Sequence, residues 1–277
     1  MPNDSAAPCR LTVLLARDAP LGVVLRRGPS AWSRLSLWHT DTDRFEHGQW
    51  LRGRVYERRC DLSPDGALFA YFVRKTKATA PADSWLAISR PPYFTALALW
   101  FVGGTYATGG YFVDARTLWQ GYGPAAPDLG TLPPTVTLHQ GPPALIDRSQ
   151  EWTERTVFGN RLLRDGWTPV GAGRTATWEH RHPAAGLTLV MLDRRAGLQS
   201  GGGSYHTEYA VRVEPDRELY PLGIATWADW DRRGRLIVAQ QGRLLRWSAP
   251  DTLTEIADFN AQRPERIEAP PEALEWP

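Results

Sequence analysis

The chain has 277 residues, with 32 basic and 30 acidic side chains and a formal net charge of +2. That length can bury a large core, and a balance so near neutrality gives no electrostatic case for nucleic acid or an anionic membrane as partner. The two cysteines, Cys9 and Cys60, form no Cys-x-x-Cys pair, which excludes a disulfide framework and a cysteine-built zinc or redox site.

The N-terminal region carries no secretory pattern, because the apolar run 11–16 is short and bracketed by Arg10 and Arg17. The longest apolar run, 94–102, falls far below the ~20 residues of a membrane helix. These features predict a soluble, cytoplasmic protein with no membrane partner. Short strands are predicted at 11–15, 22–25, 33–38 and 44–47, joined by turn formers such as Asp18-Ala19-Pro20 and Asp41-Thr42-Asp43. A second block follows, with strands at 56–60, 68–73, 85–89 and 96–100, the first two joined by Asp61-Leu62-Ser63-Pro64-Asp65-Gly66. Gly103-Gly104 and Gly109-Gly110 punctuate the middle, and 111–119 reads as a strand with a turn near Asp114. Residues 121–143 hold six prolines around an extended core at 135–138, the mark of a long connection.

Residues 152–163 and 167–170 read as a hairpin around Asp165-Gly166, and 175–180 pairs with 187–192. After the break at Gly201-Gly202-Gly203, strands are predicted at 209–213, 226–230, 236–239, 244–247 and 253–259. No helical periodicity of 12 or more residues stands out. The tail has four prolines and four glutamates and is expected to be extended and peripheral. Thirteen tryptophans are spread from Trp32 to Trp276, a distribution that fits repeated packing of sheet on sheet better than one exposed platform.

Asp229-Trp230-Asp231-Arg232-Arg233-Gly234 repeats the strand–turn–strand pattern of the 61–66 segment. Self-similar blocks of roughly 50 residues predict one all-β domain over 10–259, a single β-propeller of about five four-stranded blades, followed by the tail 260–277. A β-sandwich array is the structural alternative. The Ser63-Pro64-Asp65-Gly66 turn resembles those of TolB-like and WD-repeat propellers. The wider run, from Cys60 through Trp100, is similar to bacterial proteins of unassigned activity, so that resemblance carries no chemistry.

Several acids stand where propeller blades turn inward: Asp61, Asp114, Asp193, Asp229 and Asp231. Five-bladed propeller glycosidases place an acid and a base round a central tunnel, which makes Asp61, Asp229 and Asp231 candidate catalytic residues by fold analogy. Turn aspartates also bond their own backbone, an explanation that needs no catalysis. His180 and His182 alternate on one predicted strand and His206 and Glu208 on another; if those strands meet, the four could hold zinc or iron. Gly171-Ala172-Gly173 leads into a strand and no Walker lysine exists, so no cofactor is expected. Gly202-Gly203-Ser204 lacks the nucleophile elbow. Basic clusters at Arg52/Arg54, Arg58-Arg59, Arg74-Lys75-Lys77 and Arg232-Arg233-Arg235 read as a solvated rim. The expectation is a non-enzymatic binding or scaffolding module that holds a protein or small-molecule ligand on a loop-built face. A carbohydrate-active hydrolase is second and a metal-dependent enzyme third.

Overall fold

The computed structural model describes residues 8–29, 31–75, 78–104, 109–121, 124–140, 154–171, 175–182, 184, 186–195, 205–214, 218–250 and 252–277. Strands account for 53% of these residues and helix for 7%, so the protein is all-β. The first sheet is a meander of β1 (Arg10–Leu15), β2 (Leu21–Arg27), β3 (Trp32–His39) and β4 (Arg44–Arg52). Then come β5 (Arg54–Val55), β6 (Asp61–Leu62), β7 (Phe69–Arg74), β8 (Ser84–Ser89), β9 (Ala96–Phe101), β10 (Gly110–Phe112), β11 (Thr117–Gln120), β12 (Leu129–Gly130) and β13 (Thr137–His139). The second sheet runs β12-β9-β8-β7-β5, with β6 also on β7, and the third runs β10-β11-β13. A helix, α1 (Glu154–Arg164), precedes β14 (Thr168–Gly171), β15 (Thr175–Arg181), β16 (Leu187–Arg195), β17 (Tyr205–Val213) and β18 (Glu218–Ile224), which form the fourth sheet in chain order. The fifth is the meander β19 (Trp227–Trp230), β20 (Leu236–Gln240), β21 (Arg243–Ala249) and β22 (Thr252–Asp258).

Packing divides the described chain into two compact units, 13–161 with 262–277, and 8–12 with 162–261. In the first unit the second sheet is covered on both faces. Phe69, Tyr71, Val73 and Ala87 face Val23, Leu25 and Leu35 of the first sheet. Ala70, Leu86, Ile88 and Trp100 face Phe112, Leu118 and Val136. Burial on both faces explains why β7 and β8 are continuous apolar runs without polar alternation. Each fully buried branched or aromatic side chain there contributes ~1.5–3 kcal/mol. Trp38, Trp100 and Trp119 are fully buried, and Trp85, Trp167 and Trp230 nearly so, in keeping with tryptophan as packing material.

Residues 262–277 of the tail run extended apart from a 3-10 turn at Pro271–Leu274, and they are anchored within the first unit. Arg34 bonds Glu265 at 2.9 Å, Gln49 donates to the Ile267 carbonyl, Arg90 donates to the Glu272 carbonyl, and Trp276 Nε1 donates to the Thr131 carbonyl.

Two predicted strands take other forms. Residues 57–59 make a 3-10 turn in place of a strand. Residues 154–164 are helical, where a hairpin arm was expected. The buried helix positions include Thr156, Val157, Asn160 and Arg161, a helical spacing carried largely by polar residues, so no apolar period marks it. Asp165-Gly166 ends this helix: Gly166, at φ +92°, donates to the Leu163 carbonyl and Trp167 donates to that of Leu162, the two bonds of a Schellman cap. The same dipeptide suits a hairpin turn, since both need positive φ at glycine. The strand 168–171 pairs instead with β15. Trp152, residues 105–108, 141–143 and 172–174, and the 201–203 glycines lie outside the described residues. Among the described residues no helix is long and apolar enough to cross a membrane.

Candidate functional site

A polar cluster of the second unit is built on the Schellman cap. The cap turns the chain so that Trp167 is buried and its Nε1 donates to Asp229 Oδ2 at 3.2 Å. Asp229, on β19, accepts two further bonds at Oδ1, from His180 Nδ1 at 2.7 Å and from the Trp230 backbone N–H at 2.8 Å. His180, on β15, and His182, the residue just past its end, lie on one side of the chain by strand alternation, and both reach the 227–235 segment. His182 Nε2 lies 2.9 Å from the Gly234 carbonyl oxygen, and Trp230 Nε1 donates to the carbonyl of His180. Two histidines thus clasp the fourth sheet to the fifth.

With a carboxylate at Nδ1, the neutral imidazole carries its proton there and leaves Nε2 as acceptor. Among the described residues nothing bonds that nitrogen. Gly166 leaves it clear, because a Cβ there would stand 3.1 Å from Nε2. Burial opposes the charged ring, but the Asp229 hydrogen bond and the negative charges of Asp229 and Asp165 outweigh it and raise the His180 pKa above its ordinary value. The arrangement holds a basic imidazole in one orientation.

The other candidate acids are occupied in structural bonds. Asp61 is 1% exposed, and its Oδ2 accepts the Phe112 backbone N–H at 2.7 Å. Asp231 accepts the N–H groups of Arg233 and Arg235 at Oδ1 and pairs with the Arg235 side chain at 2.6 Å. It is a turn cap. Asp114 likewise caps its turn through the Arg116 and Thr117 N–H groups.

Strand pairing separates the four residues considered as metal ligands. His180 sits opposite Leu189, which sits opposite Val211. Glu208 is three residues from Val211, an odd number, so it leaves the opposite face from His180, at a ladder row roughly 10 Å away. The His206 backbone pairs with Arg194, two rows farther still, and its side chain lies outside the described residues. Among the described residues no group of three or more His, Cys, Asp or Glu side chains could hold a metal ion. Cys60 is inert: burial pushes its thiol up to about 12.

Asp229 and His180 were each legible as candidates, but in separate readings, one as a tunnel acid and one as a metal ligand. Trp167 was not legible, since its partner lies 62 residues away in the chain. No family model matches the chain, and no curated protein matches it in sequence, so the chemistry of the site rests on its own geometry.

Proposed function

We propose that the protein is a non-enzymatic binding module, its five sheets, antiparallel apart from the β11–β13 pairing, serving as the blades of a propeller-like scaffold. The observation that carries this reading over a glycosidase is the state of the candidate acids. Asp61 and Asp231 are buried and held by backbone N–H groups, and Asp229 is held by three donors. A glycosidase needs a protonated acid and a second carboxylate facing one bond across a gap of about 5–10 Å. The scaffold reading is further supported by the meander order of the first, fourth and fifth sheets, which suits blades laid down one after another. Partners of such scaffolds are met by the connecting loops, and the ligand is a protein or a small molecule.

The test is a broad panel of aryl glycosides and polysaccharides. No turnover is expected. Hydrolysis that disappears in Asp229→Asn or Asp231→Asn would overturn the binding reading.

A second reading, an enzyme with His180 as general base, is favoured by the carboxylate at Nδ1 and the clear Nε2. It requires a turnover that follows a single ionisation and vanishes in His180→Gln while the fold survives.

A further inference from the structure

Arg26 on β2 and Arg34 on β3 stand directly opposite one another and are only 3% and 6% exposed. Like charges so placed weaken a sheet. Their guanidinium groups lie 5.1 and 5.2 Å from the centroid of the Trp50 ring, which sits opposite Arg34 on β4. Stacking on the ring orients both planar forks. Each fork is partly bound to the sheet's own loops, Arg26 donating to the Gly28 carbonyl and Arg34 to that of Gly48. Their Nη2 groups turn to the tail. Arg26 Nη2 donates to the Gln262 carbonyl at 3.3 Å, and Arg34 Nη2 donates to the Glu265 carboxylate at 2.9 Å. Beside them Gln49 Nε2 donates to the Ile267 carbonyl at 3.1 Å.

Three donors of the first sheet thus read an extended segment at positions i, i+3 and i+5. Two of these bonds go to backbone carbonyls and are indifferent to sequence; the carboxylate at i+3 is the side chain that is read. The segment itself buries little. Between residues 262 and 268 no residue is buried, the Glu265 side chain is 60% exposed, and Arg266 pairs with Glu268 in solvent. A segment held by a few polar bonds with little burial opens at low cost. Its fit is also incomplete: Trp50 Nε1 and the side-chain oxygen of Gln262 are both buried with no hydrogen-bond partner among the described residues. Opening cannot leave Arg34 bare, because a buried cation that loses its carboxylate is strongly penalised. Exchange is favourable when the incoming segment brings a carboxylate of its own.

We propose that Arg26, Arg34, Gln49 and Trp50 form a docking face for an extended peptide of a partner protein that carries a carboxylate side chain, and that residues 262–268 occupy this face as a displaceable strap. This rests on the binding reading and names the partner's chemistry. Trp50 Nε1 offers the incoming peptide a bond that the strap leaves unmade. The bond from Trp276 to the Thr131 carbonyl keeps the end of the tail in place while the strap lifts. Because the strap is tethered, it competes at a high effective concentration, which the partner's peptide has to exceed.

The experiment is fluorescence anisotropy of a labelled synthetic peptide, residues 261–269 of this chain, titrated with the full chain. The Glu265→Gln chain is expected to bind this peptide at least about tenfold more tightly than wild type, because its own strap then competes without a carboxylate. The peptide carrying Glu265→Gln is expected to bind that chain at least about tenfold more weakly than the unsubstituted peptide. Adding Arg34→Gln to the Glu265→Gln chain is expected to abolish the gain. Arg34→Lys, which keeps the charge and loses the fork, gives the same direction should Arg34→Gln fold poorly. No binding of the peptide by the Glu265→Gln chain, or equal binding of the two peptides, would overturn the docking face. A wild-type chain that is dimeric in solution, and that the peptide converts to monomers, would assign the face to the tail of a second copy and overturn the partner reading. None of these results touches the glycoside panel, so failure of this face and failure of the binding reading are separately visible.

Discussion

Asp229 Oδ1 lies 2.7 Å from His180 Nδ1, joining the first strand of the fifth sheet to the second strand of the fourth. The pair is three-quarters or more buried, with side-chain exposures of 18% and 16%, so its hydrogen bond is only lightly screened by solvent. Its carboxylate also organises Trp167, so one acid ties a helix cap, a strand and a neighbouring sheet together.

The clasp predicts a pH dependence. The His180 pKa is raised in the folded state, above the 6.5 of the free side chain. Its contribution to stability is therefore fully present below that value and is lost as pH rises through the folded pKa. Urea unfolding between about pH 5 and about pH 9 should show this component in the wild type and lack it in His180→Gln. Equal slopes for the two proteins would show that another group titrates.

Asp229→Asn should cost more than a surface change, because the replacement amide cannot accept from all three donors. A loss of about 1–3 kcal/mol is expected, the range for leaving buried polar groups unsatisfied. Asp61→Asn should behave alike through the Phe112 N–H, with melting temperature as the readout. Stability unchanged in both would mean that neither acid has the structural role its bonds imply.

The two related turns predict matched glycine effects. Gly66 and Gly234 have φ of +76° and +70°, and each donates its N–H to the carbonyl three residues back, of Ser63 and Asp231 respectively. Valine at either site forces a β-branched residue into that region, at a cost on the order of 1–3 kcal/mol. Each Cβ would also collide with a neighbour, 2.8 Å from Leu21 Cδ1 at Gly66 and 2.6 Å from His182 Nε2 at Gly234, so both variants should lose stability alike. Thermal melts of the two variants check the match.

The anchored tail predicts that Trp276→Ala destabilises the first unit. It removes the bond to the Thr131 carbonyl and a partly buried ring that packs against the core cluster of the second and third sheets. The expected loss is about 3 kcal/mol, from the range for large-to-small aromatic changes. A urea midpoint equal to that of wild type would show that the tail is peripheral.

The relation between the 61–66 and 229–234 segments was readable from residues alone, because turn chemistry is local. Ser63 Oγ accepts the Leu68 N–H and Asp231 Oδ1 accepts the Arg235 N–H, so a short polar side chain closes each turn at the aligned position. The first turn is one residue longer, since Leu62 pairs with Phe69 whereas Trp230 pairs with Leu236. Strand positions in the first, second and fifth sheets were readable for a similar reason: runs of branched and aromatic residues bounded by Gly, Pro and Asp.

The helix 154–164 escaped notice because its buried stripe includes the polar residues Asn160 and Arg161, so no apolar period marks it. Asn160 donates to the Thr156 carbonyl one turn back, and Arg161 donates to the Cys60 carbonyl.

What the sequence by itself determined is what periodicity and turn residues encode over a few positions: an all-β chain, its strand blocks, its turns, and the shared face of His180 and His182. Tertiary structure alone decided which face met what. It sent Glu208 to the opposite side of the fourth sheet, paired Asp229 with His180 across 49 residues of chain, and set Arg54 against Arg74. Strand register and the pairing of distant segments depend on the summed burial of whole sheets, and no single stretch of residues contains that sum.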